Sequence, residues 1–372
     1  MKKIYTLLLV LCLLSAQPTT NLFAQGCVAI RGMSACSPGA TSADFFKQQN
    51  GKFQVNAGYR FFRSFRHFRG DHEESERVEN GTEVINVSHA LDLGATYQPN
   101  MRWSISVNLP IQHNDRSSLY EHYGNGITAN PEQKRFHTKS KGIGDLRIST
   151  SYWLRDPLKM PKFNISIGGG IKLPTGDRSV EGNFHKLDKE GNDYTVVKPV
   201  DQSIQLGDGG VGAFLETQGY LSFSHKVALY FNGFYLSNPR ETNKVNRNPQ
   251  ATTIDPNTGY FSVADQFAGR LGVSYALGHS GISVMLGGRA EGVPSDDLIG
   301  GSKGFRRPGY VISGEPGISY IKNKFSASAS VPVALYRNRT KSYADKLDVT
   351  GKTQGDAAFA DYLISLSVSR WF

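Results

Sequence analysis

The sequence predicts an all-β chain: a transmembrane antiparallel up-and-down β-barrel of about 12 strands, with long outer loops and short periplasmic turns. Three observations predict it. Apolar and polar residues alternate with period two in segment after segment, as strands with one wet and one apolar face do. The connections between these segments alternate short and long. The last segment alternates up to the final residue, Phe372.

The chain opens differently. Residues 1–24 read as a signal peptide, with Lys2 and Lys3 as its charged start, Leu7 to Leu14 as its apolar core and cleavage after Ala24. That core is too short to span a bilayer, and no later run approaches the ~18 apolar residues a spanning helix needs. A helical membrane protein is thereby disfavoured. Residues 25–51 are weakly patterned and rich in Gly, Ser and Ala, and read as a periplasmic or lumenal segment before a barrel over 52–372. Cys12 leaves with the signal. Cys27 and Cys36 then read as a small disulfide loop in an oxidising compartment, with lipidation of Cys27 as the alternative.

Composition agrees with many short strands. There are 40 glycines for turns and 17 tyrosines for aromatic belts. The mean hydropathy of -0.37 suits strands that show lipid one face only. The net charge of +10 comes without a basic helix or a nucleic-acid motif, so no nucleic acid is expected and attraction to anionic lipid or solutes is the better reading.

Strands are expected near 52–62, 83–98, 101–113, 142–155, 162–174, 209–222, 226–237, 265–277, 281–292, 309–321, 324–336 and 358–372. The clearest places Ile85, Val87, His89, Leu91, Leu93, Ala95 and Tyr97 on one face and Asn86, Ser88, Ala90, Asp92, Gly94 and Thr96 on the other. After Pro99-Asn100 the next runs Trp103, Ile105, Val107, Leu109, Ile111 against Ser104, Ser106, Asn108 and Gln112, which makes a hairpin. Other short turns fall at Asp156-Pro157, Ser224-His225, Gly278-His279 and Lys322-Asn323. Each strand meets the roughly 9–11 residues a membrane crossing needs, and an even count puts both termini in the periplasm. A soluble sandwich would not show this short–long rhythm. Lipid leaves no partner for an open sheet edge, so the last strand must pair with the first near Phe53 to Phe61.

With the apolar faces outward, the lumen receives Arg60, Asp92, Arg102, Asp145, Arg147, Lys172, Glu216, Arg270, Arg289, Glu291 and Glu315. Such groups need water or partners at membrane depth. They read either as a ladder of ion pairs bracing the wall or as a lining that selects a solute, and neutralising Arg147 and Arg289 is predicted to change ion selectivity. A barrel of this size is narrow or partly plugged. His89 falls on the lipid-side face, which a register slip or a partner contact could explain.

In the terminal strand Tyr362, Ile364, Leu366, Val368, Arg370 and Phe372 share a face. It resembles the closing strand of bacterial outer-membrane barrels, in which the terminal aromatic strand is read by the barrel-assembly machinery. The resemblance implies the cell outer membrane as location and that machinery as a partner, with outer-membrane lipid and lipopolysaccharide around the wall. Arg370 departs from the usual apolar residue and can snorkel.

Gly142-Ile143-Gly144-Asp145-Leu146-Arg147, and then Gly168 to Asp177 ending Lys172-Leu173-Pro174-Thr175-Gly176-Asp177, are similar to a hairpin of the outer-membrane family named for the meta-cleavage (MetA) pathway of phenol degradation. The resemblance implies an outer-membrane channel or transporter for a small solute, which could be hydrophobic or aromatic. Asp145 is expected to begin an upward strand low in the lumen, near the periplasm. Pro174 and Gly176 suit a turn more than a site.

No catalytic group, cofactor fingerprint or metal set stands out. Ser88 and His89 are adjacent in a strand and so point to opposite faces, which argues against a lipid hydrolase. A structural or adhesive surface barrel is the other alternative. Its first loop would carry Arg63, Arg66, His67 and Arg69 with Phe62, Phe65 and Phe68, suited to lipopolysaccharide phosphates, and then Asp71, Glu73, Glu74 and Glu76. Gly207-Asp208-Gly209-Gly210 lacks the helix and Lys of a phosphate loop and reads as a strand-entry turn.

Overall fold

The computed structural model describes residues 52–121, 126–160, 162–278 and 280–372. Residues 1–24, expected to be a signal peptide, the stretch 25–51 with Cys27 and Cys36, and His279 of one expected short turn lie outside the described residues.

The described chain closes into a 12-stranded antiparallel barrel. β1 (Phe53–Arg69) rises from the short-turn end, and β2 (His72–Glu73) folds back on its tip. β3 (Ile85–Tyr97) descends and β4 (Trp103–Ser118) rises. The next descending strand is split into β5 (Phe136–Ile143) and β6 (Leu146–Trp153). After β7 (Phe163–Leu173) comes a loop hairpin of β8 (Glu181–Leu187) and β9 (Asp193–Pro199). β10 (Gly212–Ser222) and β11 (Val227–Ser237) precede a second loop hairpin, β12 (Thr242–Asn246) with β13 (Tyr260–Ser262). β14 (Gln266–Ala276), β15 (Ile282–Val293) and β16 (Gly309–Lys322) continue the wall. A second split strand, β17 (Phe325–Ser330) and β18 (Val333–Asn338), leads to β19 (Ala357–Trp371).

Closure joins the two ends of the sheet. β19 pairs with β1, setting Trp371 opposite Gln54 and Ile364 opposite Phe61. The Lys52 N–H donates to the Phe372 carbonyl, and the Phe372 N–H to that of Phe53. The termini of the barrel therefore meet at the short-turn end. One of the short turns shows how it is made tight. Asn323 and Lys324 both take positive φ, 47° and 65°, as a two-residue hairpin requires.

The alternation sorts the wall as expected. Leu215, Leu286 and Leu335 stand outward and exposed, while Asp92, Arg147 and Lys172 are buried inside. Around the short-turn rim the outward residues become aromatic, with Phe53 on Tyr97 at 4.9 Å and Trp103 on Tyr152 at 4.7 Å between ring centroids. A continuous apolar band edged by aromatic rings is the surface that a bilayer core and its interface accept.

Two expectations are corrected. The first strand does not end at 62 but runs to Arg69, because its outer half pairs with Ala357–Ala360 of β19 and packs Phe68 edge-on against Phe359. The basic–aromatic run is thus wall, not loop. Its cations meet the acidic run that follows: Arg66 bonds Glu73 at 2.5 Å and Arg69 bonds Glu74 at 2.7 Å. Second, Asp145 does not begin an upward strand near the short-turn end. The strand enters from the loop end as β5, so Asp145 lies at the β5–β6 break, partway down a descending strand.

Candidate functional site: the lumen and its inward segment

Residues 201–210 leave the loop layer and fold against the inner face of β4. Asp201 caps a short 3-10 turn, Gln202–Ile204, by accepting from the Ser203 N–H. Gln112 of β4 donates to the Leu206 carbonyl at 3.1 Å, and Ser140 of β5 donates to that of Ile204. Ile204, Gln205 and Leu206 are buried. The lumen is thereby partly plugged from within the barrel's own loops.

The two motif stretches form the seat of this segment. Thr175 Oγ1 donates to the Gly144 carbonyl at 2.8 Å and accepts the Leu146 N–H at 2.9 Å. Asp145 accepts the Gly176 N–H at 3.0 Å and the Asp208 N–H at 3.2 Å. The Leu206 and Gly207 N–H groups donate to the Asp177 carbonyl. Lys172 then bonds Asp208 and lies 3.7 Å from Asp145. Glycine is required where the backbones touch. A Cβ on Gly176 would sit 2.8 Å from the Gly207 nitrogen, and one on Gly144 3.2 Å from the Leu206 carbonyl oxygen. The motif therefore has a structural task, to clasp residues 206–208 to the wall.

Four cavities lie within the barrel and share lining residues at their borders. Phe261 and Arg307 border both an outer vestibule above the inward segment and a central cavity. Arg147 borders the central cavity and a lower one. Glu216 and Phe234 border that one and another, which Arg270 also lines.

The eleven residues read from the sequence as lumenal divide into groups. Arg60 holds Asp92 through two nitrogens, at 2.8 and 3.2 Å. On β14–β16, Arg270 lies 3.1 Å from Glu315 and Arg289 bonds Glu291 at 2.7 Å, and Ser330 of β17 donates to Glu315 at 2.9 Å. Asp145 and Lys172 form the clasp, while Arg147 and Glu216 line the lower cavities. Arg102 is a correction. It lies in the short turn before β4, donates to the Trp153 and Leu154 carbonyls and covers the Tyr152 ring at 4.4 Å, because the turn leaves those carbonyls without ladder partners.

His89 needs no register slip. It stays on the outer face and takes the Tyr59 hydroxyl at 2.7 Å, between Phe61 and His113. Its neighbour Ser88 points inward and donates to Asn114 at 2.6 Å.

Sequence reading missed the residues that the loops send inward. Asp208 keeps the turn contact its Gly-rich run predicts, accepting the Gly210 N–H at 2.8 Å, and also reaches Lys172. Arg307 holds Asp201 with two nitrogens, at 2.7 and 2.8 Å, and Arg116 lies 3.6 Å from the same carboxylate. Burial alone would raise the Asp201 carboxyl, but these two guanidiniums outweigh it and hold it well below the usual range. The Gly207-Asp208-Gly209-Gly210 run was the available signal, because backbone that bare suits close approach as well as a turn.

No protein-family model matches this chain, and no curated protein matches it. Among solved structures it is similar to an outer membrane channel from Pseudomonas putida F1, with 12% identity over 87% of this chain and 96% of that one, at a TM-score of 0.53. The monoaromatic hydrocarbon channel CymD superposes with 13% identity over 95% of this chain and 99% of that one, at a TM-score of 0.44. The first agreement bears on the fold, which is the barrel described above.

Proposed function

We propose that this chain is a channel of the bacterial outer membrane, carrying a small solute through a narrow charged lumen. The observation that carries this is the series of four adjoining cavities inside a closed wall whose outside is an apolar band. The likeness in fold to a channel from Pseudomonas putida F1 supports the reading. Kinship with the meta-cleavage pathway family rests on the clasp residues Gly144 to Leu146 and Lys172 to Asp177.

Outer-membrane lipid would meet the band, and lipopolysaccharide the loop rim. The strand ending in Phe372 would be the part read by the assembly machinery. An enzyme is not proposed, because Ser88 and His89 stand on opposite faces of the wall.

The test is reconstitution of the full mature chain. Planar bilayers should show discrete small conductance steps, and liposomes should swell in small solutes and not in large sugars. A folded barrel with neither conductance nor uptake overturns the channel and favours the structural reading.

A further inference from the structure

The outer vestibule carries more positive than negative charge. Five cations face it, Arg77, Arg116, Lys198, Arg247 and Arg307, against the carboxylates of Glu121, Asp201 and Asp356. Four of the five have a carboxylate beside them. Arg77 lies 2.8 Å from Glu74, Lys198 bonds Glu121 at 2.8 Å, and Arg116 and Arg307 share Asp201.

Arg247 differs. Its guanidinium lies 3.4 Å from the centre of the Phe305 ring and donates to the Thr258 carbonyl at 3.0 Å. Among the described residues no carboxylate stands within ion-pair distance of it. Burial, and then the nearby Arg307, pull it down to about 10. A cation destabilised in this way gains from any anion that arrives.

The walls supply the rest of a binding site. Leu119, Tyr120 and Phe261 line the same cavity as Arg247. Apolar sides with one polar anchor are how a small amphipathic ligand is usually held. In the cavity beneath, Arg60, Lys172, Arg306 and Arg307 are each held by a carboxylate, Asp92, Asp208, Asp297 and Asp201 in turn, which leaves Arg247 as the cation set apart.

We propose that the vestibule captures small organic monocarboxylates with an apolar body, the carboxylate on Arg247 and the body against Leu119, Tyr120 and Phe261. One unopposed guanidinium matches one negative charge. A multiply charged anion would have to strip Glu121 or Asp201 from its partners. Passage after capture rests on the channel reading, and capture itself does not.

Binding to the detergent-purified full-length mature barrel tests this by titration calorimetry, without any measurement of flux. 4-Phenylbutyrate should bind at least about tenfold more tightly than 4-phenyl-1-butanol, the range a charge-assisted contact supplies. Arg247→Gln should erase that preference and leave the alcohol unchanged, while Arg247→Lys should keep most of it. Equal binding of acid and alcohol in the wild-type barrel overturns the site, whether or not the variants assemble. So does an Arg247→Gln loss that falls on acid and alcohol alike, or inorganic phosphate binding as tightly as 4-phenylbutyrate. Binding without conductance removes the channel and keeps the site. Conductance without a preference for the acid removes the site and keeps the channel.

Discussion

Two groups of buried charge in this barrel look alike and are built differently. Arg270, Arg289, Glu291 and Glu315 all stand on three neighbouring strands, β14 to β16. Their positions are fixed by ladders that set Arg270 opposite Arg289 and Gly287 opposite Glu315. The clasp instead joins two wall residues, Asp145 and Lys172, to Asp208 on a segment with no strand of its own. Removing charge from the first group disturbs a wall that many backbone bonds still hold. Removing it from the second frees a segment that fills the path. Equal burial therefore does not mean equal function.

The largest effect should come from Lys172→Met. It leaves Asp145 and Asp208 facing each other inside the barrel without their cation. Breaking such a buried set by one partner costs ~3–5 kcal/mol. The cheapest relief is for residues 201–210 to leave the lumen, since the ladders on either side are intact. Single-channel conductance should then rise severalfold while the barrel stays folded. An unchanged conductance would show that the segment is held by its backbone bonds alone.

Arg289→Met should act on stability instead. It strands Glu291, which has no other cation in ion-pair contact among the described residues, and leaves Glu315 with Arg270. A loss of about 2–4 kcal/mol is expected in urea unfolding, with conductance and selectivity unchanged. Arg147→Gln is the matched contrast, because Arg147 lines the central and a lower cavity. Its removal should shift the reversal potential in a salt gradient toward cations. The sequence predicts a selectivity change for both arginines, and this pair of variants tests whether it belongs to Arg147 alone.

Acid offers a graded way to loosen the inward segment. Asp201 anchors its start, and Arg116 and Arg307 hold that carboxyl well below the unfolded value of about 3.9. A group depressed in the folded state adds stability that is present above the unfolded value and lost as pH falls through the folded one. Conductance should therefore be flat from pH 8 to 5 and increase only below about pH 4. A rise already at pH 6 would place the control elsewhere.

The wall was legible in the sequence because period-two alternation and turn chemistry are local. The twelve-strand count holds and Phe372 closes on Phe53, while the outer ends of β1, β4 and β5 run past the expected bounds. The inward segment was not legible, because nothing local says that Leu206 will meet Gly144 from 62 positions away. The outer half of β1 was missed for a related reason. Arg63 to Arg69 look like loop by charge, yet that charge is matched by Glu73, Glu74 and Asp361 once the chain folds. Charged residues report their exposure poorly when their partners are distant in sequence.

The smallest change that still separates the two groups is Thr175→Val. Its hydroxyl bridges the motif stretches on either side of the β5–β6 break, donating to Gly144 and accepting from Leu146. Valine fits the same volume and removes both bonds, at about 1 kcal/mol. The wall ladders from Leu146 to Leu173 remain, so unfolding in urea should hardly move. The seat of the inward segment loosens, so open-channel noise should grow even though mean conductance changes little. If Thr175→Val instead lowers stability as Arg289→Met does and leaves the noise alone, the clasp is wall bracing after all, and the two groups are the same device.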